Sequence, residues 1–286
     1  MTNATKTFST KNIVSVSLRS AVYAAMAVTA FCLVGILSYI MINGIKVFKP
    51  SLIFGRFTAE NPSMGFSIFT TCLVIALTLL IAAPVSIFCA VYLTEYAKRK
   101  NRFVRFIRLA TETLAGIPSI VYGLFGAIFF GTHLGFGYSV LTGCLTVAIM
   151  LLPVIIRQTE EAIKAVPDMY REGSYGLGAS KLRTVFRIVL PSATPGILSA
   201  VILSMGRIIG ETAALLFTLG TVARFPGSPL DSSRTLALHM YISTRDGGMA
   251  GRDVAFLTGA VLIVIILLMN IGASYLGGKV GKDFEN

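Results

Sequence analysis

Residues Phe66–Leu93 read FSIFTTCLVIALTLLIAAPVSIFCAVYL, and none of them is charged. An α-helix needs about 20 residues to cross about 30 Å of hydrocarbon, and this run exceeds that. Five more apolar stretches reach or approach that length: Ala21–Ile42, Leu114–Phe130, Tyr138–Ile156, Ile197–Leu219 and Val254–Leu276. The third is the shortest and carries Pro118, so irregularity is expected near its start. Pro84 and Pro153 fall inside the second and fourth, where neighbouring helices can satisfy the freed carbonyls. Membrane β-strands would be about 10 residues long with a period of two, and nothing here has that pattern.

The composition agrees. Of 286 residues 55% are hydrophobic and only 13% are charged, against roughly 25% in an ordinary soluble domain. Mean hydropathy is +0.78. A large core does not require charge to be halved, whereas a lipid-facing surface does. The expectation is an all-α polytopic membrane protein with six transmembrane helices. Ala21–Ile42 has a basic lead, but its apolar core exceeds the 7–15 residues typical of a signal peptide and no small-x-small site follows, so it is expected to be retained. Cys32, Cys72, Cys89 and Cys144 all fall in apolar runs, without metal-ligand spacing, and read as packing residues.

A formal net charge of +12 could suggest nucleic acid. Placing the basic residues removes that reading. Seventeen of the 25 Lys and Arg lie in the N-terminal tail (1–20), in the loop after the second stretch, in the loop 157–195 and in the C-terminal tail (277–286). Those segments share one side of a six-span topology. By the positive-inside rule both termini are cytoplasmic, around one transmembrane domain (21–276). The charge is an orientation signal.

Two cytoplasmic segments carry helical patterns. Phe103–Thr111 sets Phe103, Phe106, Ile107 and Ala110 opposite Arg102, Arg105 and Arg108, as an interfacial helix would. In loop 157–195, Pro167 suits a helix start, with Asp168 and Glu172 in the first turns; Gly176 and Gly178 break it. Ser180 is the expected cap of a second short helix, ended by Pro191 and Pro195. On the far side, Ser232–Thr244 has the spacing of a helix lying flat on the membrane surface.

No catalytic constellation is visible. His133 and His239 are the only histidines, read as ordinary loop residues, and no metal site or cofactor is expected. A phosphate-cradling loop would need G-x-x-x-x-G-K-[ST]; the nearest approach, at Gly278-Lys279-Val280, lacks the first Gly and the hydroxyl. The expectation is a transporter subunit and not an enzyme, with any ATP bound by another chain.

The strongest local signal is Glu172-Gly173-Ser174, then Gly178, then Ile188-Val189-Leu190-Pro191. It resembles the E-A-A-x3-G-x9-I-x-L-P signature of permease subunits of ATP-binding-cassette importers, with Gly173 and Ser174 where Ala is usual. The resemblance implies the type I importer permease architecture. It also implies a coupling helix over about 168–178, with Asp168, Arg171, Glu172, Gly173, Ser174 and Gly178 meeting an ATPase subunit, and Ile188, Leu190 and Pro191 as structural parts of the motif.

The stretch Ile197–Leu219 also holds two charges, Arg207 and Glu211, near the expected bilayer midplane. Intramembrane charges are costly and are functional by default. Four residues apart, the two can meet on one helical face. That face carries Gly196, Ala200, Ser204, Gly210 and Ala214 and is expected to point into the bundle, with Leu198, Met205, Ile209 and Leu216 towards lipid. Either the pair neutralises itself and fixes packing, or Arg207 offers its planar donors to a passing oxyanion while Glu211 limits how tightly it is held.

Residues Gly206–Ala214 and Gly116–Gly123 are similar to the phosphate-specific branch of these permeases, and chain order and length to its A-type subunit. That resemblance implies import of inorganic phosphate across a bacterial cytoplasmic membrane, with a homologous second permease, two ATPase subunits and an extracytoplasmic phosphate-binding protein as partners. Another oxyanion (molybdate, sulfate or phosphonate) and a passive anion channel are the competing readings.

Overall fold

The computed structural model describes residues 3–58, 61–97 and 102–283. Lys98, Arg99 and Lys100 lie outside the described residues, as do positions 284–286 of the C-terminal tail. Among the described residues there are helices and no strands. In chain order they are α1 (Asn3–Lys46), α2 (Pro50–Phe54), α3 (Gly65–Val91), α4 (Arg102–Ala115), α5 (Ser119–Gly126), α6 (Val140–Lys164), α7 (Asp168–Gly176), α8 (Lys181–Thr184), α9 (Leu190–Gly210), α10 (Ala213–Thr218), α11 (Leu236–Asp246) and α12 (Gly248–Asp283). Wider π-helical windings continue α3 over Tyr92–Tyr96, α5 over Ala127–His133 and α8 over Val185–Val189.

Five of these helices are long and apolar enough to cross a membrane, and a sixth crossing requires two pieces, Arg102–Ala115 and Ser119–His133, bent by 104°. The bend falls at Gly116-Ile117-Pro118. Proline disfavours helical geometry at the residue before it and supplies no N–H, and after Gly116 the chain turns there and restarts at Ser119. The expected third span is thus preceded by a separate helix lying across it.

Helix α6 is the centre. It contributes Val147, Leu151 and Ile155 to a core completed by Val74 and Ala82 of α3, Tyr122 of α5, Ile208 and Ile209 of α9, and Leu215 of α10. Close approach depends on glycine at one contact above all: a Cβ on Gly126 would collide with the Thr146 side chain of α6. Gly126→Val is expected to lower stability by about 1–3 kcal/mol through overpacking, read as a lower thermal midpoint in detergent; an unchanged midpoint would show that α5 can shift away.

Helix α1 touches the rest chiefly through its second half, with Tyr39 edge-on to Phe256 at 5.5 Å and Gly44 against Ala260. Elsewhere it presents a sleeve of exposed apolar side chains such as Val22, Phe31 and Val34. Cys32 of α1 and Cys72 of α3 are exposed, whereas Cys144 is buried and Cys89 packs on the cluster of Ala90, Leu93, Val104 and Ile156, so the expected packing role holds for two of the four cysteines.

Further expectations are corrected. Pro191 and Pro195 do not end the second cytoplasmic helix, because Lys181–Gly210 runs on as one span. The π winding at 185–189 changes the hydrogen-bond ladder just before Pro191, so the helix passes through the prolines. Helix α11 is anchored into the chain by its first half, since Leu236, Leu238 and His239 are fully buried and the Leu236 N–H donates to Thr71 Oγ1 at 2.9 Å. His239 is therefore a core residue rather than a loop one. In α4, Arg108 turns from the expected headgroup side to pair with Glu160 at 3.1 Å, while Phe103 and Phe106 stay exposed.

Candidate functional site

The expected fifth span is broken at its charged pair. Helix α9 ends at Gly210, Glu211 takes extended geometry (φ −71, ψ 122), and α10 starts two residues later. The Glu211 carboxylate accepts the Ala214 N–H at 3.0 Å, capping α10 from within the buried interior. Helix N-termini have unpaired N–H donors, and a carboxylate there satisfies one while opposing the helix dipole. Glu211 is thereby drawn away from Arg207. No hydrogen bond or ion pair joins Arg207 to any described residue, so the self-neutralised pair is not formed.

Arg207 sits in the last turn of α9, where the dipole favours a cation. It is exposed on the surface of the chain, within electrostatic range of the Tyr122 hydroxyl, which itself donates to the Leu114 carbonyl at 2.8 Å. The expected division of faces holds only in part. Gly196 meets Ala162 closely, and Ala200 and Ser204 are buried, so the small residues pack on α6. At the last turn the packing passes to Ile208 and Ile209, each 1% exposed, and Arg207 and Gly210 emerge. Ile209 faces core, not lipid.

Helix α7 is held from inside. Arg171 is largely buried and places Nε and Nη2 at 3.1 and 2.9 Å from Glu95 Oε1 at the end of the second span. Its other donors reach the carbonyls of Val166 (2.7 Å) and Ile163 (3.0 Å) and the carboxylate of Asp168 (3.1 Å). Ser174 is buried with its hydroxyl 2.8 Å from Thr184 of α8, and Lys181 lies over the Tyr96 ring. Leu190 packs on a cluster of Val91, Ile163, Val166, Val185 and Val189, with Ile188 and Pro191 half-buried beside it.

Arg171 and Ser174, expected to meet a partner, therefore face their own chain. Glu172, Gly173 and Gly178 are exposed, and Gly178 turns the chain at φ +80. The outward apolar groups are Met169 (71% exposed), Tyr170 and Leu177 (91% exposed). Their signal was present, since bulky apolar residues in an otherwise polar loop need a reason to be there. Glu95 gave none, because only the fold brings it to Arg171.

Residues 82–282 match the family described as binding-protein-dependent transport system inner membrane component. The chain is 37% identical over 273 residues to the probable ABC transporter permease protein YqgI of Bacillus subtilis, covering 90% of this chain and 92% of that one. It is 40% identical over 195 residues to the phosphate transport system permease protein PstA of Mycobacterium leprae, covering 67% and 62%. A crystal structure of a bacterial alginate ABC transporter in complex with its pentasaccharide-bound periplasmic protein contains a chain of the same fold, with TM-score 0.71, 16% identity and coverage of 94% and 97%. With its all-helical, multi-span architecture, the chain belongs to the family of membrane permease components of binding-protein-dependent ABC importers.

Proposed function

We propose that the chain is one of two homologous permeases of an ATP-driven inorganic phosphate importer in the bacterial cytoplasmic membrane. The observation that carries this reading is Arg207, a guanidinium bonded to no described residue, in the last turn of α9 just before the chain breaks ahead of α10. Irregular backbone at membrane depth is tolerated where it is enclosed by protein or lines a water-filled path. A guanidinium there offers several donors in a plane that matches an oxyanion. Relatives named for phosphate transport support the choice of anion.

In this reading a phosphate-binding protein delivers the anion from outside and two ATPase subunits supply the energy. The outward side of α7 (Met169, Tyr170, Leu177) seats in a groove on one ATPase, and Arg171 passes its displacement to the end of the second span. A short helix fixed at several points moves as a rigid body, whereas a flexible loop would absorb the motion. Glu211 stays engaged at Ala214, so Arg207 holds phosphate alone and weakly enough to release it.

The test is uptake by the complex reconstituted in vesicles with its co-purifying subunits. Phosphate entry is expected to require ATP and to resist a tenfold excess of sulfate, molybdate or phosphonate. Effective competition by one of those would reassign the substrate, and entry without ATP would make the chain a passive pathway.

A further inference from the structure

On the membrane side opposite α7, a cavity of about 730 Å³ lies between the segment after α1, the end of α11 and the start of α12. Arg234, just before α11, lines it. Only 6% of Arg234 is exposed, and its Nε is sealed from solvent with no hydrogen-bond partner. Among the described residues its guanidinium forms no ion pair; it rests on two aromatic rings, 5.1 Å from the centre of Phe57 and 5.4 Å from that of Phe66. Ring faces attract a cation but accept none of its hydrogen bonds in the plane.

Burial pulls the Arg234 pKa down to about 10, opposed by the field of Asp246, so the group is charged at neutral pH. His239 packs edge-on to the same two rings, and burial together with Arg234 pushes it down to about 3. It approaches the Pro62 carbonyl without a well-formed hydrogen bond, stays neutral and supplies no counter-charge. A buried cation with unused donors is costly unless acceptors reach it from outside. The cavity, which Arg234 lines, is the route by which they can reach the part of the guanidinium beyond the sealed Nε.

We propose that this cavity is a second oxyanion site, in which the edge of Arg234 takes a small phosphate or carboxylate anion arriving from outside the cell. Contact with both rings limits how the guanidinium can turn, and its planar donors favour a two-point grip on an oxyanion over a spherical ion. Lys49 adds positive charge on the wall, while Asp246, held by Arg245 at 2.7 Å, and Asp253 oppose the anion and keep its stay short. The site stands apart from the reading of Arg207, which belongs to another element and face.

The chain contains no Trp, so Ile242→Trp on the cavity wall provides a single fluorescent reporter. In the full-length chain in lipid nanodiscs, inorganic phosphate is expected to shift its emission saturably, and the same range of chloride is not. Acetate in place of phosphate tests the carboxylate source; saturation by either anion supports the site and identifies the group it takes. Arg234→Gln should raise the midpoint at least tenfold, and Arg234→Lys, which keeps the charge without the fork, should raise it also. Arg207→Ala should leave it unchanged. An identical response to chloride, or a midpoint indifferent to both Arg234 substitutions, would overturn the proposal.

Discussion

Replacing Arg207 by alanine is expected to abolish ATP-driven phosphate uptake while leaving the amount, assembly and melting of the complex unchanged. The two halves of that result rest on one observation: Arg207 is exposed and bonded to no described residue. A side chain with no folded-state partner costs within about 0.5 kcal/mol to remove. Two charge-assisted hydrogen bonds to a bound anion contribute about 1.5–3 kcal/mol each. Their joint loss weakens anion holding at least about a hundredfold. Arg207→Lys should recover only part of the rate, since an ammonium grips at one point. Uptake at the normal rate by the alanine variant would remove Arg207 from the pathway. A failure to assemble would instead make it a packing residue.

The second large effect is expected at Arg171. Arg171→Ala should cut phosphate uptake by tenfold or more and sever ATP hydrolysis from stimulation by the loaded binding protein, with basal hydrolysis retained. The substitution strands Glu95, which is 7% exposed, without a counter-charge and frees the carbonyls of Ile163 and Val166. Breaking a buried pair from one side costs about 3–5 kcal/mol. That cost falls where α7 joins the end of the second span, so the helix loosens at the point where movement must be passed on. The paired change Arg171→Met with Glu95→Leu fills the same space without a stranded charge and should restore stability, and with it part of the coupling. Full stimulation in Arg171→Ala would mean that the Ser174–Thr184 contact and the apolar cluster around Val185 suffice to hold α7.

Some of this architecture is local in origin and some is not. Apolar length marks the spans because hydrocarbon solvates nothing polar along the whole of a helix, and Pro118 marks the bend because its constraint acts on its own neighbour. The motif that runs through α7 is legible as residues in a pattern, but the orientation of that helix is not. A helical repeat states which residues share a face, and it does not say which face meets the chain's own interior. Arg171 and Met169 are equally plausible contacts until Glu95 arrives from the second span, 76 positions away in sequence. The same reason explains α11, whose spacing fits a surface helix and whose surroundings bury it.

The order of amino acids alone thus settles an all-helical membrane protein and the motif carried by loop 157–195, because each depends on composition or on residues within a few turns. Folding is what separates Glu211 from Arg207. The break after Gly210 leaves a helix start that needs an acceptor, and the nearest carboxylate is taken for it. It also leaves Arg234 buried against two rings, in an ion pair with none of the described residues. Partners brought together from distant segments decide both cases, and a sequence lists residues without listing which of them will meet.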